Sequence, residues 1–166
     1  MQNKIVSLEQ MDTILQQAKS AGKRIVFTNG CFDLLHVGHL RSLTEAKNIG
    51  DILIVGLNDD QSVSHLKGPG RPLFPDFERA ELVAGFECVD FVVIFSGETV
   101  AELLQRFKPH VHAKGTDYTQ DTVPERAVVQ SYGGQIAITG DPKMHSSSDV
   151  LTEISRLKEQ EPGSNH

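Results

Sequence analysis

Ile25-Val26-Phe27-Thr28-Asn29-Gly30-Cys31-Phe32-Asp33-Leu34-Leu35-His36-Val37-Gly38-His39-Leu40 is the stretch on which the fold turns. Ile25 to Phe27 is a short, continuous apolar run, the pattern of a parallel strand buried on both faces. Gly30 breaks the run; it allows a tight backbone turn and lets a ligand approach where a Cβ would obstruct it. Val37 to Asn48 then reads as a helix, with Leu40, Leu43 and Ala46 or Lys47 recurring at helical spacing. His36 and His39 therefore stand at the entrance of that helix, on one face. A helix N-terminus offers N–H groups and a partial positive charge to an anion, and two imidazoles beside it add directional donors. Phosphate chemistry suits this arrangement. An H-x-x-H pair can also be half of a zinc site, but no cysteine or carboxylate stands at a usual ligand spacing. Histidines satisfied inside a core are the other reading, and a glycine-bearing strand-to-helix turn is a poor place to bury them.

Working outward, Ser7 with Gln10 makes a capping box and opens an amphipathic helix carrying Leu8, Met11, Ile14, Leu15 and Ala18. Gly22 ends it. Ile52 to Leu57 is the second buried strand, and a strand, a crossover helix and a strand imply parallel pairing. Asp90 to Phe95 is the third strand, a short one begins near His110, and Gln135 to Thr139 is the last. Asp76 is expected to cap a helix running to about Glu87, with Leu82, Val83 and Phe86 inward. Thr99 with Glu102 predicts another capped helix ending near Pro109, and Thr122 with Glu125 predicts one closed by Gly133-Gly134. The final helix begins at Ser146-Ser147-Ser148-Asp149, where the serines cap it, cradle a phosphate, or do both.

Several polar groups cluster past strand ends, where open α/β sheets place their ligands. Asn58-Asp59-Asp60 is one such group, as an Asx-type turn capping a short helix or as a ligand contact. His65-Leu66-Lys67-Gly68-Pro69-Gly70-Arg71-Pro72 is too rich in glycine and proline for regular structure and reads as a mobile loop. Its lysine and arginine suggest a clamp closing on phosphate, against the alternative of a solvated loop. Arg79 lies in the first turn of its helix, against the dipole; an anion contact explains this, as does an ion pair with Asp76 or Glu78. His110 and His112 share one face of their strand, but without a third ligand they read as exposed or edge-facing histidines rather than a metal pair. Lys114 to Asp117 follow at that strand's carboxyl end, placed to hold a sugar or a base.

The chain has 166 residues, a net charge of −6 and two cysteines, Cys31 and Cys88. One domain over residues 1–158 is expected, with residues 1–22 as an N-terminal helix packed on it and 159–166 as a flexible tail. Scattered lysines and arginines on an acidic chain argue against nucleic acid as a partner. The N-terminus shows no signal-peptide h-region and no run approaches a membrane span, so a reduced, cytoplasmic setting without a membrane partner is expected. A dinucleotide-dependent oxidoreductase is disfavoured, because G-x-G-x-x-G is absent after the first strand.

The opening stretch resembles the G-x-F-D-x-x-H-x-G-H signature of the nucleotidyltransferase superfamily of small cytidylyl- and adenylyltransferases. Gly30, Phe32, Asp33, His36, Gly38 and His39 match every fixed position. Lys67-Gly68, Arg71-Pro72, Glu78-Arg79, Val89-Asp90, Lys114-Gly115-Thr116-Asp117-Tyr118, Gly133-Gly134 and Ser146-Ser147-Ser148 extend the likeness. In that order they are similar to the bacterial D-glycero-β-D-manno-heptose 1-phosphate adenylyltransferases. Cytidylyl-transferring relatives carry an arginine shortly before the serine motif where this chain has Asp141, which favours ATP over CTP.

The resemblance implies an α/β, Rossmann-like doubly wound five-stranded parallel sheet in the order 3-2-1-4-5, with helices on both faces. It implies transfer of an adenylyl group from ATP to the sugar phosphate, giving ADP-heptose and pyrophosphate; cytidylyl transfer to another phosphorylated polyol or alcohol is the alternative. His36, His39, Lys67 and Arg79 would be catalytic. Thr28, Asn29, Gly30, Phe32, Gly38, Lys114, Gly115, Asp117, Ser146, Ser147 and Ser148 would hold the nucleotide. Cys31, Asp33, Asp60 and Lys67 would face the sugar phosphate. Mg²⁺ would arrive on the ATP phosphates rather than in a protein cage, and the assembly would be a homodimer.

Overall fold

The computed structural model describes residues 2–97, 100–142 and 146–160. The apolar runs become β1 (Ile25–Gly30), β2 (Ile52–Asn58), β3 (Phe91–Phe95), β4 (Val111–Gly115) and β5 (Gln135–Thr139). They form one parallel sheet in the order β3-β2-β1-β4-β5, as expected. The helices are α1 (Leu8–Ser20), α2 (Val37–Asn48), α3 (Asp60–Lys67), α4 (Asp76–Ala84), α5 (Ala101–Phe107), α6 (Arg126–Ser131) and α7 (Ser147–Gln160). Among the described residues, no helix is long and apolar enough to cross a membrane.

Because side chains alternate across a strand, the sheet separates two apolar layers. Val26, Leu53, Val55, Leu57, Val92 and Val111 meet Leu43 and Ala46 of α2 and Ala80, Val83 and Ala84 of α4. Ile25, Phe27, Ile54 and Val93 turn the other way, against Met11, Leu15 and Ala18 of α1, Leu103, Leu104 and Phe107 of α5, and Val129 of α6. Each large side chain so buried contributes about 1.5–3 kcal/mol, which is why the central strands are apolar on both faces. Lys47 at the end of α2 donates to Asp90 at 2.6 Å, and the same carboxylate oxygen accepts from Leu53 N at 2.7 Å. That contact fixes where α2 returns to the sheet.

Local readings hold at the Ser7–Gln10 capping box, which caps α1 as expected. Elsewhere the structure differs. β1 runs on to Gly30 because its pairing continues through Thr28–Val55, Asn29–Gly56 and Gly30–Leu57. Asp76 is the first residue of α4 rather than its cap; Pro75 holds the cap position with no side-chain bond, and the helix stops at Ala84. Leu82, expected inward, is 54% exposed, while Arg79 takes an inward position. Thr122 accepts from Thr119 N at 2.8 Å and closes a turn, so α6 starts later, at Arg126. Thr99 and its predicted cap lie outside the described residues. α7 continues through Gln160, into the stretch expected as tail, of which 161–166 also lie outside the described residues.

Gly56 marks the tightest point of the central sheet. A Cβ there would lie 2.7 Å from the Phe27 ring and 3.3 Å from the Phe95 ring. Phe27 cannot easily yield, since its ring stands edge-on to Phe107 at a centroid distance of 6.2 Å. Gly56→Ala is expected to lower unfolding stability by about 1–3 kcal/mol in urea titrations, without changing the m-value. An unaltered midpoint would show that the rings move aside.

Candidate active site

The carboxyl end of β1 leads directly into the site. Phe32, not a glycine, takes the left-handed conformation here, at φ 47°. Its buried ring folds back over the strand end, where a Cβ on Gly30 would come within 3.1 Å of it. Gly30 therefore makes room for an aromatic ring; the turn itself lies two residues on. The Phe32 ring centroid is 5.5 Å from that of His39, so the aromatic side chain sets the wall against which that imidazole rests.

His36 is the N-cap of α2, with extended backbone, and its Nδ1 accepts from Gly38 N at 3.1 Å. His39 reaches back, its Nδ1 accepting from His36 N at 3.3 Å. This is a capping box built from two imidazoles in place of a hydroxyl and a carboxylate. The rings lie 4.1 Å apart at 44°. With both Nδ1 atoms accepting, each neutral ring carries its proton on Nε2. A Cβ on Gly38 would stand 2.9 Å from Cε1 and Nδ1 of His36, so only glycine permits the imidazole to fold onto that N–H.

On the β2 side, the charged residues hold one another. Arg79, expected on the triphosphate, is completely buried. Its Nε donates to Phe74 O at 2.9 Å, Nη1 to Cys31 O at 2.5 Å and Asn58 O at 2.9 Å, and Nη2 to Asp60 at 2.8 Å. It braces four segments from inside and has no exposed surface to offer a nucleotide. Asp60, expected on substrate hydroxyls, is that brace's carboxylate partner, with its side chain half-exposed. Asp33 is buried too, and accepts from Arg71 Nε at 2.5 Å and Leu73 N at 2.7 Å. The loop expected to be mobile is thus pinned by Asp33. Lys67 ends α3 with an exposed side chain. Burial pushes the Cys31 thiol up, while the charges of Lys67, Arg79 and Arg71 pull it the other way. Asp59 caps α3 by accepting from Ser62 N at 2.8 Å, the Asx reading of that turn.

On the β4 side, Asn29 is gripped by two donors. His112 Nε2 lies 3.2 Å and Lys114 Nζ 3.4 Å from its Oδ1. Lys114 is buried between Glu125, at 3.9 Å, and the Tyr118 ring, 4.9 Å from its centroid. Burial lowers its pKa, with Glu125 opposing the shift. His112, expected to be exposed or edge-facing, is fully buried, because β4 lies inside the sheet with both faces covered. Burial first, and the Lys114 charge second, push its pKa down to about 3. Thr28 lies half-buried on β1, Gly115 closes β4, and Asp117 is exposed in the turn beyond.

The start of α7 is tied to the signature. Ser147 Oγ donates to Leu34 O at 2.7 Å, so its hydroxyl proton is committed and its backbone N–H is what remains for an anion. Ser146 and Asp149 form the expected reciprocal cap, at 3.0 and 2.8 Å, and Ser148 is exposed. Ser42 bonds Thr139 and Glu45 accepts from Gly140 N, holding α2 beside the end of β5. Arg41 pairs with Asp141 at 2.7 Å. The structure thus gathers His36, His39, Asn29, Lys114 and the α7 start around one strand end and turns Arg79 inward. His112 and Glu125 are polar residues of this region that the sequence reading left out of the site, while Arg71, read there as part of a clamp on phosphate, is held by Asp33. Among the described residues no group of three or more His, Cys, Asp or Glu could hold a metal ion.

His112 generates a pH prediction. Its folded pKa lies below the ordinary 6.5, so the unfolded chain takes up a proton that the folded chain refuses, and stability falls as pH drops from 6.5 towards about 3. Between about pH 6.5 and pH 5 this amounts to roughly 2 kcal/mol. His112→Gln, which keeps a donor for Asn29, is expected to flatten the stability–pH curve by that amount in urea titrations. An equal slope in both proteins would contradict the assignment.

The profile of the cytidylyltransferase-like family matches residues 27–158. The bifunctional protein HldE of Geotalea uraniireducens is 46% identical over 151 residues, covering 91% of this chain and 31% of that protein. HldE of Helicobacter hepaticus is 45% identical over 157 residues, covering 95% of this chain and 31% of that protein. The chain therefore spans about a third of the length of these curated relatives. A lipopolysaccharide core biosynthesis protein from Thermoplasma volcanium shares the fold, with a TM-score of 0.64 at 24% identity over 74% of this chain and 100% of that one. So does a pantoate-beta-alanine ligase from Francisella tularensis, with a TM-score of 0.59 at 16% identity over 98% and 81%. The profile match takes in the whole of the sheet from Phe27 onward, the imidazole cap and the α7 start, and the chain belongs to the cytidylyltransferase-like family.

Proposed function

We propose that the chain transfers the adenylyl group of ATP to D-glycero-β-D-manno-heptose 1-phosphate, forming ADP-heptose and releasing pyrophosphate. The interlocked imidazole cap of α2 carries the reading, since it fixes two rings with Nε2–H donors at a helix N-terminus. Support for the sugar comes from the heptose 1-phosphate adenylyltransferase motifs in the sequence and from the identity to HldE proteins. An oxygen of the acceptor phosphate attacks the α-phosphorus; the new P–O bond forms as the bond to the bridging oxygen of the leaving pyrophosphate breaks. The attacking oxygen is already ionised, so no side chain has to remove a proton.

The protein's work is then positioning and charge neutralisation. His36 and His39 donate to the α- and β-phosphate oxygens as charge builds there, and the α7 start with Ser146, Ser147 and Ser148 receives the pyrophosphate end. Lys114, Asn29 and Asp117 border the nucleoside, and Lys67 approaches the reacting phosphates from the end of α3. Mg²⁺ would ride on nucleotide oxygens and water, because the carboxylates nearest the signature, Asp33 and Asp60, are already paired with Arg71 and Arg79. We take residues 1–158 as one such unit, working in the cytoplasm where ATP is supplied. We infer a homodimer as well, on the apolar side chains Leu73, Phe74, Phe77 and Leu82, each more than 40% exposed.

Pyrophosphate release, measured with each nucleoside triphosphate against a panel of sugar and polyol phosphates, tests the substrates. ATP with heptose 1-phosphate is expected to give the highest kcat/KM; CTP with a polyol phosphate giving it instead would replace the reading. His39→Asn is expected to lower kcat by on the order of 10²–10³ with little change in KM. A kcat within a few-fold of the parent would remove the imidazoles from the chemistry.

A further inference from the structure

The β2 side of the signature holds a guanidinium that the account so far leaves idle. Arg79 and Asp60 satisfy each other, whereas Arg71 is only half-matched. Its Nε donates to Asp33 at 2.5 Å, its side chain is 14% exposed, and that of Asp33 is fully buried. Nε and Nη2 together form the side-on fork with which arginine grips a carboxylate or phosphate at two points. Asp33 gives this fork a single oxygen, because its second oxygen is occupied by Leu73 N at 2.7 Å. Nη2 is therefore left, among the described residues, buried and without a hydrogen-bond partner. A charged donor shut away from water calls for an acceptor that the protein itself does not supply.

The surroundings say which acceptor. Asp33 lies two residues past Cys31 in the turn after β1, so Arg71 is held against the signature itself. The charges of Lys67, Arg79 and Arg71 are felt at the Cys31 thiol against that of Asp33. With Asp33 and Asp60 each paired to an arginine, this flank keeps a cationic balance through Lys67. In the proposed reaction the pyrophosphate leaves towards the α7 start, which follows β5, and an in-line displacement brings the entering oxygen from the opposite flank. In the sheet order β2 lies on the other side of β1 from β4 and β5, so the entering flank is the β2 side. A dianionic phosphate monoester entering there meets Arg71.

We propose that Arg71 binds the acceptor's phosphate through Nη2, with Asp33 as the positioning residue that fixes the guanidinium and the loop carrying it. The inference rests on the adenylyl-transfer reading for the identity of the acceptor, though not for its charge. The test uses inorganic phosphate, titrated into the full chain saturated with a non-hydrolysable ATP analogue and followed by calorimetry. Arg71→Gln is expected to weaken phosphate binding by ~10-fold or more while analogue affinity stays within about 2-fold; Arg71→Lys, keeping charge without the fork, weakens it less. In turnover assays the acceptor KM rises with Arg71→Gln more than kcat falls. Thermal melts check that each variant is folded, and if Arg71→Gln is not, Arg71→Lys carries the comparison alone. No phosphate binding by the parent complex, equal phosphate affinity in the parent and the folded variants, or parallel loss of analogue and phosphate affinity would each overturn the role of Arg71. Failure of the parent to make ADP-heptose, with the phosphate titration as expected, would refute the sugar and leave the phosphate ligand in place.

Discussion

The start of α2 is closed by imidazole nitrogens, and the site is arranged around that substitution. A serine or aspartate in the cap position would satisfy the N–H groups equally well, but a serine hydroxyl reaches little beyond the cap and an aspartate brings negative charge and no donor. An imidazole has two nitrogens on opposite sides of a ring, so accepting with Nδ1 leaves a donor facing away from the helix. His36 and His39 each do this, and each relies on the other's backbone or on a side-chain-free neighbour to do it. The cap thus serves stability and orientation with the same contacts. Phe32, Gly30 and Gly38 follow from it: one supplies the wall behind His39, and the two glycines leave space for rings.

The remaining charged residues are arranged to keep this turn fixed against the sheet. Arg79 binds the carbonyls of Cys31, Asn58 and Phe74 and the Asp60 carboxylate, so the ends of β1 and β2, the start of α3 and the loop before α4 meet at one guanidinium. A buried charge is costly unless it is fully bonded, and removing one partner of such a set typically costs about 3–5 kcal/mol. That magnitude exceeds what an exposed ion pair such as Arg41–Asp141 supplies, about 0–1 kcal/mol. On the opposite flank a neutral histidine and a lysine hold Asn29 in a comparable way. The polar groups nearest the crevice are therefore immobilised by second partners, which is the condition for electrostatic stabilisation without reorganisation.

The sequence made some of this legible and concealed the rest for physical reasons. Strands and the α2 boundaries could be read, because apolar runs and 3.6-residue spacing record burial directly, whereas the strand order came only with the family resemblance. Capping boxes at Ser7 and Ser146 were readable because both partners lie within three residues of each other. Arg79 was noticed as a cation against the helix dipole, but its acceptors are mostly backbone carbonyls from distant segments, and side-chain identities do not display those. His112 was misplaced because a lone polar residue on an interior strand looks the same in sequence as one on an edge. The tight turn was placed at Gly30 rather than at Phe32, because the positive φ of Phe32 is announced by no pattern. Local, reciprocal contacts were readable at Ser7 and Ser146 though not at Thr122, which closes a turn instead; long-range polar ones were not.

The central claim is that both signature rings accept with Nδ1 and donate with Nε2. Nitrogen-15 NMR of the imidazoles at neutral pH, with His36 and His39 assigned by substitution, measures this directly. The account predicts a protonated Nε2 and an unprotonated Nδ1 in both rings. A proton on Nδ1 of either ring would contradict it, because that nitrogen could then no longer accept from the backbone of α2.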